Sequence, residues 1–361
     1  MERKDNLFKQ YDYFLPKKNL ALTPAIPRDS SKLFVYDTQN DKIYFDRFYH
    51  LDKYLPQNSF LVLNNTKVMP ARVILKKETG GKVTVLFFTN ELSQKQDFQI
   101  VRGLVDRKVT LGEKLYFAKN NFVKVFRQKE SIFYFKLNFS KEKFFSLILK
   151  YGSPPVPLYL RKTPLNKEQL LKKYQTIFAK KQGSVAAPTA SLHFTNRVFK
   201  KLEKKGIKKY FVTLHVGLGT FAPLSRENLK TKKLHEEYYE VDKNIWEKIL
   251  KEKENGKKLV AVGTTVVRTV ESVKISFNQL KSEKTKNKII EKTDLFIFPP
   301  FNFQMVDNLL TNFHLPKSSL MMLVEAFLQF KKAKKRLVDL YNIAIKNDFR
   351  FYSFGDSMII K

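Results

Sequence analysis

Two kinds of periodicity follow one another along this chain of 361 residues, and their order restricts the fold. Between residues 73 and 150, short runs such as VTVLFF and SIFYFKLNF recur between Gly, Asn and Lys turns. Such runs, rich in β-branched and aromatic residues, predict a small antiparallel barrel. From residue 151 onward, helix-like and strand-like segments alternate, which is typical of an α/β layer or barrel. We therefore predict an α/β fold: a barrel-like α/β main domain (residues 1–72 and 151–361) with an inserted small antiparallel β-barrel domain (residues 73–150).

Turn and capping residues predict where the elements of the main domain begin and end. Strands are expected at residues 32–37, 60–63, 209–216, 258–262 and 293–298, with a closing strand in FRFYSFGDSMII. Helices are expected at 166–182 with Gly183 at C′, from Thr195 to 205, from Asp242 to the residue before Gly256, from GTTVVRTVES onward, around Pro316, and at 331–346. In such a fold, ligands bind at the carboxyl ends of the strands.

Composition limits the partners and the chemistry. The formal net charge is +34, from 68 Lys and Arg against 34 Asp and Glu, which favours a polyanion such as nucleic acid as partner. The lysines are scattered among many Phe, Asn and Ile residues, so part of this charge reflects an AT-rich genome. Cysteine is absent, which excludes disulfides, thiolate nucleophiles and iron–sulfur clusters. No signal peptide or membrane-spanning run is found, and a cytoplasmic protein is expected.

The stretch GSVAAPTASLHFT, residues 183–195, is unusually rich in small residues. Small side chains before a histidine are what a chain needs where a ligand approaches the backbone closely, although a tightly packed turn has the same composition. Four of the five histidines lie in comparably unusual stretches. The candidates for proton transfer are His193, His215 and His314, and the wall of a ligand pocket is predicted at Ser184, Ala187, Pro188 and Thr189.

Two further segments predict ligand contacts. VTLHVGLGTFA offers Gly217, Gly219 and Thr220 as a ledge under a flat ligand, whereas the polar residues that follow argue against a dinucleotide fingerprint. In VAVGTTVVRTVES, the residues Thr264, Thr265 and Arg268 begin a helix whose amides could hold a carboxylate or phosphate. The alternative is a simple cap with a surface pair between Arg268 and Glu271.

Basic residues near the first long strand and an asparagine near the last histidine complete the predicted contacts. In NSFLVLNNTKVMPAR, Lys67 and Arg72 follow a strand end and could bind RNA phosphates. Asn312 precedes His314 in LLTNFHLP and is a candidate substrate contact. No nucleophile elbow, P-loop or H-E-x-x-H motif is present, which excludes the commonest hydrolases and kinases.

Taken in order, these blocks resemble a known family. PRDSSKL, LVLNNTKVMPAR, YQTIFA, GSVAAPTASLHFT, VTLHVGLGTF, HEEYYEV, VGTTVVRTVES and LLTNFHLPKSSLMMLVEAF closely resemble the S-adenosylmethionine:tRNA ribosyltransferase-isomerases of the queuosine pathway. The resemblance extends over essentially the full chain. It departs from the family pattern at Ser191, Ala222 and Val266, among other positions, while the histidines of the blocks remain.

The resemblance implies an α/β domain interrupted by a small β-barrel, and it implies a reaction. The ribosyl group of S-adenosylmethionine would be transferred and isomerised onto 7-aminomethyl-7-deazaguanine at the tRNA wobble position. Epoxyqueuosine would form, with release of adenine and methionine. S-adenosylmethionine would be the donor substrate, and no other cofactor and no metal is expected. The enzyme is expected to act as a monomer on tRNA, with the wobble base extruded and with Lys67, Arg72 and Arg268 binding phosphates.

Two alternatives stay open on the sequence. Another S-adenosylmethionine-dependent tRNA-modifying enzyme, such as a methyltransferase, would release S-adenosylhomocysteine. A non-catalytic RNA-binding protein would bind tRNA with a strong salt dependence and would release no adenine. The sulfonium of the donor acidifies the adjacent ribose methylene, so a neutral imidazole suits the base that the ribosyl transfer needs. The sequence does not assign that role to one histidine.

Overall fold

The computed structural model describes residues 9–89, 99–118, 120–217, 224–278 and 287–361. In chain order the strands are β1 (Lys32–Asp37), β2 (Lys42–Arg47), β3 (Ser59–Asn64), β4 (Thr66–Val68), β5 (Arg72–Lys77), β6 (Lys82–Phe87), β7 (Ile100–Val105), β8 (Lys114–Ala118), β9 (Asn121–Lys129), β10 (Ile132–Leu137), β11 (Lys181–Ser184), β12 (Lys208–His215), β13 (Lys233–Asp242), β14 (Lys258–Val262), β15 (Lys288–Leu295), β16 (Asn308–Asn312) and β17 (Ser357–Ile360). The helices are α1 (Leu51–Tyr54), α2 (Lys141–Tyr151), α3 (Lys167–Lys173), α4 (Asn196–Lys204), α5 (Arg226–Thr231), α6 (Lys243–Glu254), α7 (Thr264–Asn278), α8 (Ser319–Phe330) and α9 (Leu337–Lys346).

A nine-stranded mixed sheet forms the main body, in the order β15-β13-β12-β3-β14-β16-β17-β1-β2. Strands β12, β3, β14 and β16 are parallel neighbours, β17 is antiparallel to β16, and β1 is parallel to β17. The carboxyl ends of the four parallel strands therefore meet the amino ends of β1 and β17 at one edge. We call this the carboxyl edge. Apolar clusters cover both faces of the sheet.

Strands β5 to β10 form a closed barrel in the order β10-β7-β6-β5-β8-β9, as the short apolar runs predicted. Its interior is one apolar cluster, to which helix α2 adds Phe144, Leu147 and Ile148. The chain enters and leaves the barrel at adjacent points, because Arg72 and Ser153 exchange backbone hydrogen bonds of 3.2 and 2.8 Å. The α/β class and the small antiparallel barrel are thus confirmed, and the division into two domains stays a prediction.

The helix expected at residues 166–182 is confirmed only in its first part, Lys167–Lys173, with Asn166 as its cap. Helix α3 ends at Lys173, where the guanidinium of Arg28 donates to the carbonyl oxygens of Lys172 and Lys173. The chain then turns, and the Lys180 and Lys181 amides donate to the carbonyl of Asn65, so that β11 pairs with β4. Hydrogen bonds to distant backbone therefore override the helical propensity of this lysine-rich segment.

Three other boundaries also differ from expectation. Helix α8 begins at Ser319 under a Ser318 cap, so Pro316 precedes the helix. The helix expected at 331–346 begins only at Leu337, after a turn in which Lys332 takes a positive φ of 53°. Strand β15 spans Lys288–Leu295, five residues earlier at its start than the expected 293–298. The Thr195 and Asp242 caps are confirmed.

Candidate active site at the carboxyl edge

The carboxyl edge brings together four of the blocks that the sequence singled out. The loop that follows β11 runs beside the end of β12, where the Val185 amide donates to the Val216 carbonyl at 3.0 Å. The same loop lies over the turn between β14 and α7, because a Cβ added at Gly263 would be 3.6 Å from that of Ala190. It ends at the 3₁₀ helix Thr189–His193, beside the end of β16.

His193 is buried between the end of β16 and the start of β1. Its Nε2 accepts from Asn312 Nδ2 at 3.4 Å, and its Nδ1 lies 2.8 Å from Ser31 Oγ. In a neutral imidazole that accepts at Nε2, the proton is on Nδ1, which then donates to Ser31. Burial, with a smaller contribution from Arg350, lowers the pKa of His193 to about 3. The ring is therefore neutral at pH 7.

His215 ends β12 and is equally buried, but only one of its ring nitrogens is held. Its Nδ1 lies 2.8 Å from Thr66 Oγ1, and among the described residues its Nε2 has no hydrogen-bond partner. Burial lowers the pKa of His215 to about 4, while Glu240 opposes and Lys181 adds to that shift. Gly183 lies directly against the ring: a Cβ there would be 2.9 Å from Nδ1. His215 is thus a neutral imidazole with one nitrogen available.

His314 has a different environment, because both of its ring nitrogens are held by the fold. Tyr341 accepts the His314 backbone amide at 3.0 Å, and its hydroxyl can donate its single proton to Nδ1 at 3.2 Å. Nε2 then donates to Thr311 Oγ1 at 3.3 Å. Burial lowers the pKa of His314 to about 3. These contacts, with that of the Tyr13 hydroxyl to the His314 carbonyl, hold both the ring and the backbone of His314 within the fold.

Three residues of the predicted pocket wall are buried and the fourth is partly exposed. The Ser184 hydroxyl donates to the Ala186 carbonyl at 2.7 Å and accepts from the Val216 amide at 3.0 Å, so it fixes the loop. Ala187 belongs to an apolar cluster with Leu192 and Tyr174, so its side chain packs in the core. Pro188 is buried as well, whereas Thr189 is partly exposed.

Two buried polar atoms beside His193 have no hydrogen-bond partner within the described part of the chain. They are Ser191 Oγ, two residues before the histidine, and Oδ1 of Asn312, which contacts its ring. Leaving such atoms unpaired in the folded protein costs about 1–3 kcal/mol each. They are the atoms at this edge that a polar ligand would satisfy.

The amino end of α7 also lies at the carboxyl edge. Thr264 is its first residue, and Thr265 Oγ1 accepts from Asn64 Nδ2 at 3.3 Å. Asn64 also bonds the backbone of Leu214, so it ties the end of β3 to the end of β12. The turn depends on Gly263, whose φ of 92° lies in a region that side chains disfavour.

Arg268 is not on the surface. It forms a buried ion pair with Glu237 and donates to the carbonyls of Leu295 and Thr293. Its expected role as a contact to tRNA phosphates is therefore wrong, because a paired and buried guanidinium does not reach a phosphate backbone. The alternative surface pair with Glu271 is wrong as well, since Glu271 is buried and accepts three backbone amides after residue 303.

The remaining predicted residues are Gly217, Gly219, Thr220, Lys67 and Arg72. Gly217 donates its amide to Glu237 at 2.8 Å, which links the predicted ledge to the Arg268 pair. Gly219 and Thr220 lie outside the described residues. Lys67 is a half-buried residue of β4. Arg72 begins β5, and burial together with nearby Arg161 lowers its pKa.

Sequence reasoning missed the residues that position the predicted ones, above all Ser31, Asn64, Thr66 and Glu237. A signal for two of them was present. Asn64 is the last residue of β3, whose residues are all buried, and Thr66 follows two residues later. Polar residues at the carboxyl end of a buried strand are typical of a ligand-binding edge. Glu237 gives no such signal, because its partner Arg268 is 31 residues away.

Comparison with known proteins identifies the family of the chain. The family model described as "Queuosine biosynthesis protein" matches residues 8–360. The chain belongs to this family. It is 41% identical, over 98% of its length and 99% of the relative, to the S-adenosylmethionine:tRNA ribosyltransferase-isomerase of Carboxydothermus hydrogenoformans. The enzyme of the same name from Thermosipho melanesiensis is 42% identical over 97% of this chain and 98% of the relative.

A solved structure of the family has the same fold. The crystal structure of S-adenosylmethionine tRNA ribosyltransferase from Thermotoga maritima matches with a TM-score of 0.52 and 30% identity, over 98% of this chain and 100% of that one. The resemblance seen in the ordered sequence blocks is thereby confirmed. Within the described ranges, every helix is too short or too polar to cross a membrane.

Proposed function

We propose that this enzyme of queuosine biosynthesis, an S-adenosylmethionine:tRNA ribosyltransferase-isomerase, acts on the wobble position of tRNA. The acceptor is the amino group of 7-aminomethyl-7-deazaguanine, and the product is epoxyqueuosine. The ribosyl group comes from S-adenosylmethionine, whose adenine and methionine portions are released. The enzyme acts as a cytoplasmic monomer and uses S-adenosylmethionine as substrate, with no further cofactor.

The observation that carries the proposal is His215, a buried neutral imidazole with an available Nε2 at the carboxyl edge. The reaction needs a base for the ribose methylene beside the sulfonium, and a neutral imidazole accepts a proton there. Because burial makes the resulting imidazolium unfavourable, the proton is readily passed on. Departure of adenine requires such a proton at a ring nitrogen.

His193 is the second candidate, and it supports the donor. Its ring contacts Asn312, and the unpaired atoms Ser191 Oγ and Asn312 Oδ1 offer hydrogen bonds to a ribose or a purine. The first turn of α7, with Thr264 and Thr265, offers amides to the carboxylate of the methionine portion. His314 is assigned a supporting role, since both its nitrogens are bonded within the fold.

The other residues predicted to contact the substrates have the following roles in this proposal. Gly217 lies under the adenine, next to the loop that contains Ser184, Pro188 and Thr189, and Gly219 and Thr220 stay predicted substrate contacts. Lys67 and Arg72 contact RNA phosphates near the entrance of the barrel. Ala187 acts indirectly, because its side chain packs in an apolar cluster behind the loop.

The test is incubation with S-adenosylmethionine and tRNA that carries the 7-aminomethyl-7-deazaguanine base, followed by chromatography. Adenine and methionine are expected in equal amounts. S-adenosylhomocysteine instead would identify a methyltransferase, and salt-dependent tRNA binding without either product would identify an RNA-binding module. His215→Ala should lower the single-turnover rate of adenine release by about two to four orders of magnitude, with the fold retained in a thermal melt. A parent rate in that variant would exclude His215 as the base.

A further inference from the structure

A groove lined by lysines runs along β12 and β13, from helix α6 at the amino end of β12 toward the carboxyl edge. Five of its lining residues are lysines and two are carboxylates, Glu240 and Asp242. The lysines are Lys180, Lys181, Lys209, Lys248 and Lys288. An adjoining depression shares Tyr210 and Lys248 with it and adds Lys251 among other cations. We call the two together the lysine groove, and its excess of cations makes it attractive to a polyanion.

Only some of these cations are neutralised by the protein itself. Lys181 and Lys288 share one carboxylate, that of Glu240, at 3.0 and 2.8 Å. Within the described residues, the exposed side chains of Lys180, Lys248 and Lys251 have no carboxylate partner. Three such ammonium groups along a groove can each release a counterion from a phosphate backbone.

The register of the strands connects the lysine groove to the site. Thr213 is opposite Glu240, and two residues further His215 is opposite Tyr238. Opposite residues of an antiparallel pair lie on the same face, and two residues advance about 7 Å along a strand. The floor of the groove therefore continues toward the available imidazole.

The residue beside His215 suits a nucleic acid base. Tyr238 is half-buried, and the ammonium of Lys292, opposite it on β15, lies 5.2 Å from the centre of its ring and 2.9 Å from the carboxylate of Glu236. A partly exposed aromatic ring is a platform on which a base that has left its helix can stack. Such a platform one strand away from the base catalyst would hold a neighbour of the reacting nucleotide.

We propose that the lysine groove is the path by which the tRNA backbone reaches the site, with phosphates held by Lys180, Lys248 and Lys251. This inference rests on the proposed function, since it assumes tRNA as substrate. In this inference the phosphate contacts are made by lysines of the groove instead of Arg268, which is buried. A nucleotide adjacent to the reacting base stacks on Tyr238 in this arrangement.

The experiment compares two triple variants of equal charge. One is Lys180→Ala/Lys248→Ala/Lys251→Ala; the control is Lys42→Ala/Lys53→Ala/Lys346→Ala, whose exposed lysines lie on or near the β2 side of the sheet. The dissociation constant for tRNA is measured by fluorescence anisotropy at several salt concentrations. The groove variant should lose about 50-fold in affinity at about 0.15 M salt. The slope of the logarithm of affinity against the logarithm of salt concentration should become less steep by about two, because each of the three lost phosphate contacts contributes about 0.7.

Adenine release by the parent protein, measured alongside tRNA binding, distinguishes a failure of this inference from a failure of the proposed function. If the parent modifies tRNA and the groove variant keeps the parent's affinity and slope, the groove is not the path. An equal loss of affinity in the control variant would show that tRNA binding depends on net charge alone, and it would also refute the proposed path. A parent that binds tRNA through the groove but releases no adenine would refute the proposed function and leave the binding surface standing.

Discussion

Replacing Gly183 by alanine is the sharpest test of the geometry around His215. Gly183 has a φ of 147°, and a Cβ added there would be 2.9 Å from His215 Nδ1 and 3.0 Å from Cε1. The backbone around Gly183 is held on both sides. Thr89 Oγ1 donates to the Gly183 carbonyl at 3.0 Å, and the Met69 amide donates to that of Ser184 at 2.8 Å. The ring must therefore move, and its 2.8 Å contact with Thr66 is lost.

Two contributions set the size of the effect on stability. A non-glycine residue at this φ costs about 1–3 kcal/mol of folding free energy. Loss of the buried hydrogen bond to His215 adds about 1–3 kcal/mol. The effect on catalysis is larger, because a displacement of about 1 Å in a reacting group lowers the rate by about 100-fold. Denaturant unfolding measures the first quantity, and single-turnover release of adenine measures the second.

Gly206→Ala is the matched control. Gly206 also has a positive φ, 74°, but nothing lies within 4 Å of an added Cβ. It should lose about 1–2 kcal/mol of stability from the left-handed backbone and keep the parent rate. If Gly183→Ala released adenine as fast as Gly206→Ala, the position of the His215 ring would not matter to the reaction, and the assignment of His215 as base would be refuted.

Two further predictions concern buried ionisable groups. Burial lowers the pKa of His314 to about 3, so below pH ~6.5 the unfolded chain binds a proton at this residue and the folded chain does not. The contribution of His314 to the free energy of unfolding is therefore constant above that pH. Below it, the free energy of unfolding falls by about 1.4 kcal/mol per pH unit down to the folded pKa. His314→Gln should remove this share of the slope in unfolding experiments between about pH 6.5 and 4.5, and an unchanged slope would contradict the assignment. Arg268→Met should cost about 3–5 kcal/mol because it removes the cation that neutralises buried Glu237. Arg268→Met/Glu237→Gln should be more stable than Arg268→Met in the same assay; equal stability would mean that the charge of Glu237 is compensated elsewhere.

The elements that the sequence predicts well are those with local causes. The barrel strands follow from runs of β-branched and aromatic residues. Helices α4 and α6 are capped by Thr195 and Asp242, whose side chains accept backbone amides of the first turn. Strand β11 has no such cause, because its sequence is KQGS and it exists through its partner β4. A single sequence contains no record of that pairing, so a lysine-rich segment was predicted to be helical.

The same distinction holds at the site. Small residues before His193 and the strand that ends in His215 were sufficient to place both at the carboxyl edge. The roles of the histidines depend on partners that are distant in sequence. Tyr341 holds His314 and Thr66 holds His215, and neither partner is adjacent to its histidine in the sequence. Sequence alone therefore predicts which histidines are candidates for the site, while the structure distinguishes an imidazole with one bonded nitrogen from one with both nitrogens bonded.

The distribution of charge explains how one protein can receive a cationic donor and a polyanionic acceptor. S-adenosylmethionine carries a sulfonium, which a net charge of +34 would repel if cations lined its pocket. At the carboxyl edge His193 and His215 are neutral, Arg268 is paired with Glu237, and Arg350 lies 3.6 Å from Asp356. Lys180, Lys248 and Lys251, which have no carboxylate partner among the described residues, lie in the lysine groove, where we propose that they attract phosphates. In the proposed arrangement, the neutral imidazoles and paired arginines would favour the donor, and the lysine groove would hold the tRNA, so each substrate would meet the electrostatic environment that suits it.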